Sequence, residues 1–222
     1  MRIVAYKIRL TSLPETPTYR SIGFLLTRQQ YMSNILRFKT RFDWVATVMA
    51  DFDNFLLDHA AAEKKASGMA ISMLSHYPNK VRLVSEMANL AVEELTHYKE
   101  VLKWIHQRGL ITTADKKDPY INQFRKCLRQ GSEEYFLDRL LIAGIIEARG
   151  AERFGLVADA LDEGPLKKFY RSISRSEERH HELFFELAEL YICKIKIKKR
   201  LPELLDAEAE IVANQVTRAA LH

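Results

Sequence analysis

From residue 41 to residue 195 the chain places apolar residues every three or four positions in four long stretches, the period of an amphipathic helix. The first stripe runs through Val45, Met49, Phe52, Leu56, Ala66, Ala70 and Met73, with His59 and Glu63 in the same line, until HYPNK at 76–80 ends it. The second, over 80–108, uses Leu83, Met87, Leu90, Val101 and Trp104 with Glu94 and His97 among them, and Gly109 supplies a C-terminal stop. The segment 110–131 contains ITTADKKDPY, a loop, and then a short basic helix, so it reads as a crossover. A third stripe over 132–162 carries Phe136, Leu140, Ala143, Glu147, Phe154, Ala158 and Leu161, and DEGP at 162–165 closes it. The fourth, over 165–195, lines up Leu166, Ile173, Glu177, His180, Phe184, Leu187 and Tyr191, and a final helix is expected around 201–220. The first forty residues are different: MRIVAYKIRL alternates like a short strand, and TSLPETPT is rich in turn formers.

Four long helices joined short, long, short describe an all-α four-helix bundle with one crossover connection and additional short helices. Only eight glycines and six prolines punctuate 222 residues, too few for a sandwich, a barrel or a βαβ alternation. No composition break divides the chain, so one domain is expected, with 1–40 as an N-terminal extension, 41–195 as the core, and 196–222 as a C-terminal basic segment and helix. Two cysteines, Cys127 and Cys193, exclude a disulfide framework, a four-cysteine zinc site and an iron–sulfur cluster, and they fit a reducing cytoplasm. No run approaches bilayer-spanning length, so no membrane association is expected. A net charge of +5 suits a polyanionic partner without requiring one.

Each apolar seam contains a glutamate near its midpoint: Glu63, Glu94, Glu147 and Glu177. Four carboxylates turned into a bundle core would lose hydration and repel one another, so either the register differs and the acids face solvent, or the core holds cations. Chance would place a glutamate three residues before a histidine about 0.6 times in this composition. The chain has Glu94/His97, Glu177/His180 and Glu178/His181. That spacing puts a carboxylate and an imidazole on one helical face, within reach of the same ion. Glu63 precedes Glu94 by 31 residues and Glu147 precedes Glu177 by 30, so each half offers a lone glutamate, a hairpin and a Glu-x-x-His pair. Four carboxylates and two imidazoles form an oxygen-rich set suited to two iron ions, or to manganese.

Two positions leave a choice. Continuing Glu177/His180 along its face gives Ile173, Phe184, Leu187 and Tyr191, a better apolar line than Glu178/His181 provides, and His181 stays as the alternative. Glu147 fits the 30-residue symmetry, while Glu152 is the alternative or a group behind the ligands. His59, one turn before Glu63, can hydrogen-bond it.

LLDHAAAEKKASGMA around Glu63, EELTHYKEVLKWIHQRG around Glu94 and His97, IIEARGAERF around Glu147 and SRSEERHHELF around Glu177 resemble the tRNA 2-methylthio-N6-isopentenyladenosine hydroxylases, the MiaE family. The likeness covers about 55–191 with four motifs in order. It implies a ferritin-like di-iron monooxygenase that uses O2 as co-substrate to hydroxylate the isopentenyl group on the adenosine beside the anticodon. It also implies Glu94 and Glu177 as bridging ligands and Glu63 and Glu147 as terminal ones. No dinucleotide fingerprint is present, so a separate reductase is expected to deliver electrons. The tRNA anticodon loop is the expected partner of a monomeric protein, held through Arg125, Lys126, Lys168, Arg171, Lys198, Lys199 and Arg200. Iron storage or peroxide handling, as in ferritins and rubrerythrins, is the alternative use of the same ligands.

Overall fold

The computed structural model describes residues 35–222, so the strand and turn expected in the first part of the chain lie outside the described residues. Seven helices follow in order among the described residues: α1 (Phe42–Ala50), α2 (Phe52–His76), α3 (Val81–Gln107), α4 (Pro119–Arg125), α5 (Ser132–Ala160), α6 (Pro165–Tyr191) and α7 (Lys194–Ala213). The four long helices α2, α3, α5 and α6 match the four apolar stripes.

Helix α2 pairs along its length with α3, and α5 pairs likewise with α6. The α2–α3 hairpin turns at Tyr77–Lys80, where the Lys80 amide donates to the Tyr77 carbonyl at 3.0 Å. Gly109, at φ 71°, ends α3 in the left-handed region that favours glycine, and the Leu110 amide returns to the Ile105 carbonyl at 3.0 Å. The crossover then begins with Asp118, whose side chain caps α4 by accepting from the Ile121 amide, with Pro119 in the first turn.

Two features depart from the sequence pattern. The first stripe is not one helix, because the chain breaks between α1 and α2 at Asp51, whose φ is −137°. Asp51 accepts from the Asn54 side chain at 2.7 Å, one of the local side-chain bonds that compete with helix continuation. The last helix begins at Lys194 rather than near 201, so the basic run is helical and Pro202 lies inside α7. Proline forfeits one backbone bond there, and burial of Ile197, Leu204 and Leu205 offsets it.

The core has two apolar clusters. One gathers Met73, Leu83, Met87, Leu90, Phe136, Leu140 and Phe184. The other gathers Phe55, Leu56, Val101, Ile105, Phe154, Val157, Tyr170 and Ile173. In every long helix the sequence passes from one cluster to the other through its midpoint glutamate, which makes a polar layer between two apolar ones. Among the described residues no helix is long and apolar enough to cross a membrane.

Candidate metal centre

The antiparallel hairpins bring Glu63 of α2, Glu94 and His97 of α3, Glu147 of α5, and Glu177 and His180 of α6 into this one layer. All are buried except His97, which is partly exposed. They form two overlapping groups, Glu63 with Glu94, His97 and Glu177, and Glu94 with Glu147, Glu177 and His180. Within each group the candidate ligand atoms lie within 4.8 Å of one another. Glu94 and Glu177 belong to both. His97 Nδ1 is 3.4 Å from Glu94 Oε2 and 3.6 Å from Glu63 Oε2. His180 Nδ1 is 2.9 Å from Glu94 Oε1 and 3.9 Å from Glu177 Oε1. Both imidazoles thus aim the same ring nitrogen into the layer.

Glu94 Oε1, Glu177 Oε1 and His180 Nδ1, which face the layer, are buried without an aligned hydrogen bond. Orphaned groups of this kind are costly, and a divalent cation among them would satisfy the lone pairs and balance the charge. The donor set, with no thiolate and a carboxylate majority, fits hard or borderline metals such as iron and manganese. Gly150 leaves the space beside Glu177 open: a Cβ there would stand 3.4 Å from Glu177 Oε2.

Burial drives the Glu94 carboxyl upward despite His180 and His97 beside it, and burial together with Glu147 and Glu94 drives Glu177 well above the usual range. Burial acts the same way on Glu63, but hydrogen bonds with His59 and His97 outweigh it and hold that carboxyl well below. Burial opposes the charged imidazoles, yet Glu63 and Glu94 raise His97 to about 9, and Glu93 and Glu94 raise His180 to about 10. Without a cation the layer therefore holds protons, and a metal must displace them.

His59 lies where its spacing suggested, with Nε2 2.6 Å from Glu63 Oε1. Its Nδ1 is 3.2 Å from the Tyr170 hydroxyl, a partner from α6 that spacing along α2 could not indicate. Glu152 is not behind the ligands: it accepts from the Thr40 amide at 3.1 Å and hydroxyl at 2.7 Å, and pairs with Arg149. The apolar line that favoured Glu147 explains this, since Glu152 falls on a face of α5 turned towards Thr40, in the segment before α1. His181 is buried with Nδ1 2.7 Å from the Gly144 carbonyl, outside both ligand groups.

Among the basic candidates, Arg125, Lys126, Lys168, Lys198 and Lys199 are exposed. Arg171 pairs with Asp159. Arg200 is turned inward, its side chain 14% exposed, donating to Asp138 and to the Cys127 carbonyl, so it is not a free surface cation. The buried Asp138 that draws it in was invisible in the charge pattern of 194–200. Glu93 was also missed: it stands beside both histidines, and its only sequence signal is the doubled EE at 93–94.

The family model described as tRNA-(MS[2]IO[6]A)-hydroxylase (MiaE) matches residues 27–222. A Pseudomonas putida protein named tRNA 2-(methylsulfanyl)-N(6)-isopentenyladenosine(37) hydroxylase is 30% identical over 179 residues, 81% of this chain and 87% of that protein. A Salmonella typhimurium protein of the same name is 30% identical over 155 residues, covering 70% of this chain and 56% of that protein. Among solved structures, a Synechococcus protein described as protein 43 with aldehyde deformylating oxygenase activity superposes with a TM-score of 0.80 at 33% identity. That superposition covers 84% of this chain and 94% of the other, and the bundle is ferritin-like.

Proposed function

The chain belongs to the MiaE family of tRNA hydroxylases, and on that premise we propose that it hydroxylates the isopentenyl group of 2-methylthio-N6-isopentenyladenosine at position 37 of tRNA. The observation behind this reading is the buried layer of four glutamates and two histidines, with orphaned oxygen and nitrogen atoms converging from four helices. In this reading Glu63 and His97 would hold one iron, Glu147 and His180 would hold the other, and Glu94 and Glu177, which belong to both groups, would be shared between them. A bound di-iron pair supplies activation of O2, with two electrons arriving from a separate reductase. The protein's own part is to hold the ions in a layer closed above and below by apolar side chains, which limits water around a reactive oxidant. His59 fixes the Glu63 carboxylate and is in turn held by Tyr170.

The anticodon loop would meet exposed cations at the rim, and Arg125, Lys126, Lys168, Lys198 and Lys199 are available to its phosphates. A tRNA substrate agrees with a cytoplasmic enzyme. Nucleoside mass analysis of tRNA from cells with and without the gene tests the substrate: the hydroxylated nucleoside should disappear on deletion, and an unchanged profile would contradict it.

The likeness to the Synechococcus protein favours a second reading, oxidation of an aldehyde at the same site, since 33% identity is no lower than that of the two tRNA-hydroxylase relatives. The net charge of +5 favours the polyanionic substrate. Release of formate from an aldehyde by the iron-loaded, reduced protein, with tRNA left unmodified, would reverse that preference.

A further inference from the structure

The two Glu-x-x-His pairs are not equivalent on the side facing away from the layer. Immediately before the ligand candidate Glu94 stands Glu93, and at the matching position before Glu177 stands Ser176. Glu93 Oε2 is 3.3 Å from His180 Nε2, and Glu93 Oε1 is 3.9 Å from His97 Nε2. The two rings lie 6.0 Å apart, so a single carboxylate spans the outer nitrogens of both histidines while their Nδ1 atoms face inward. Glu93 is itself fastened from α6: the Ser176 hydroxyl donates to Oε1 at 2.5 Å, and Arg179 Nη2 donates to Oε1 at 3.0 Å and to Ser176 Oγ at 3.0 Å.

We propose that Glu93 is a positioning residue shared by both half-sites, its charge favouring the proton on Nε2 of each imidazole, by direct approach at His180 and across 3.9 Å at His97, so that both Nδ1 atoms present lone pairs to the ions. A carboxylate behind a ligating histidine fixes its tautomer and ring orientation and raises its basicity. Here one carboxylate does so for two rings, because the second half of the repeat has a serine that secures the acid instead of supplying another. Glu93 also joins α3 to α6, the two helices that carry the histidines. The alternative role, an exposed ion pair with Arg179, would make Glu93 and Arg179 interchangeable in their effects.

The inference rests on the metal-centre reading, and cobalt(II) titration of the metal-free chain separates the two. Wild-type protein should take up about two cobalt ions with a visible d–d spectrum. Glu93→Ala should weaken both ions, by about 10- to 100-fold each, and change that spectrum. Glu93→Gln, whose amide oxygen can still accept, should recover much of the affinity, and Arg179→Ala, which leaves the Ser176 hydrogen bond to Glu93 in place, should lose less than Glu93→Ala. Far-ultraviolet circular dichroism checks the helices; if Glu93→Ala unfolds, a smaller loss at both ions in Glu93→Gln is the expected sign. Wild-type affinity and spectrum in the Glu93 variants, loss confined to one ion, or equal loss in Arg179→Ala would overturn the shared role. Wild-type protein that binds no cobalt would instead overturn the metal centre itself.

Discussion

Glu94 and Glu177 are the residues on which the layer turns, because each is buried, each has an orphaned oxygen, and each faces partners from both halves of the bundle. In the metal-free protein their carboxyls, and the His97 and His180 imidazoles, hold protons that an unfolded chain would release at lower pH. Folded groups with raised pKa values bind more protons than the unfolded chain does, so stability falls as pH rises. For the histidines the contribution is full below about 6.5 and is lost as pH passes through about 9 and 10. Thermal unfolding of the metal-free chain should therefore show its midpoint falling between about pH 6.5 and pH 10, with a flatter profile once metal has replaced the protons. A midpoint that rises across that window would contradict the proton-filled layer. The Glu-x-x-His spacing made these residues legible, because i, i+3 neighbours share a face whatever the tertiary fold. Glu93 and Tyr170 were not, since their contacts cross between helices and leave no periodic trace.

At the scale of elements, the long helices α3 and α5 could be read from their stripes to within two residues and α6 from its first residue, because burial of one face fixes the 3.6-residue period, whereas the first stripe covers both α1 and α2. What the stripes did not reveal is how the outer helices are attached. Helix α7 is fastened to α5 by a fully buried ion pair: Arg149 donates through Nε and Nη2 to the two oxygens of Glu208, at 2.8 and 3.0 Å. Tyr120 donates its hydroxyl to the same carboxylate at 3.2 Å, and Arg149 reaches the Phe38 carbonyl at 2.7 Å, tying in α4 and the segment before α1. Removing one member of such a pair leaves a buried charge, so Arg149→Met should cost about 3–5 kcal/mol in urea unfolding. Arg149→Met with Glu208→Leu should recover much of the loss, and a single variant within about 1 kcal/mol of wild type would contradict the role assigned to the pair. The break at Asp51 and the early start of α7 escaped the pattern for a related reason. Both depend on which local bonds tertiary packing allows, and the buried anchors Ile197 and Leu204 on either side of Pro202 carry α7 back to Lys194, ahead of the helix expected around 201–220.

Across the whole molecule, the crossover between α3 and α5 sets the two hairpins against each other, and the near-equal intervals of 31 and 30 residues bring their acids level. That symmetry was present in the sequence and needed no coordinates. The surface chemistry was less accessible, because a run of basic residues does not show which members are drawn inward, as Arg200 is by Asp138. The central claim joins the two scales: a six-residue layer inside the bundle oxidises a nucleoside presented at its surface. The most direct test is one reaction, in which iron-loaded, chemically reduced protein is mixed with tRNA carrying 2-methylthio-N6-isopentenyladenosine at position 37 under isotopically labelled O2 and the nucleosides are weighed. The account predicts a nucleoside bearing one labelled oxygen on the isopentenyl group, abolished in Glu94→Ala; unmodified tRNA from fully iron-loaded protein would contradict it.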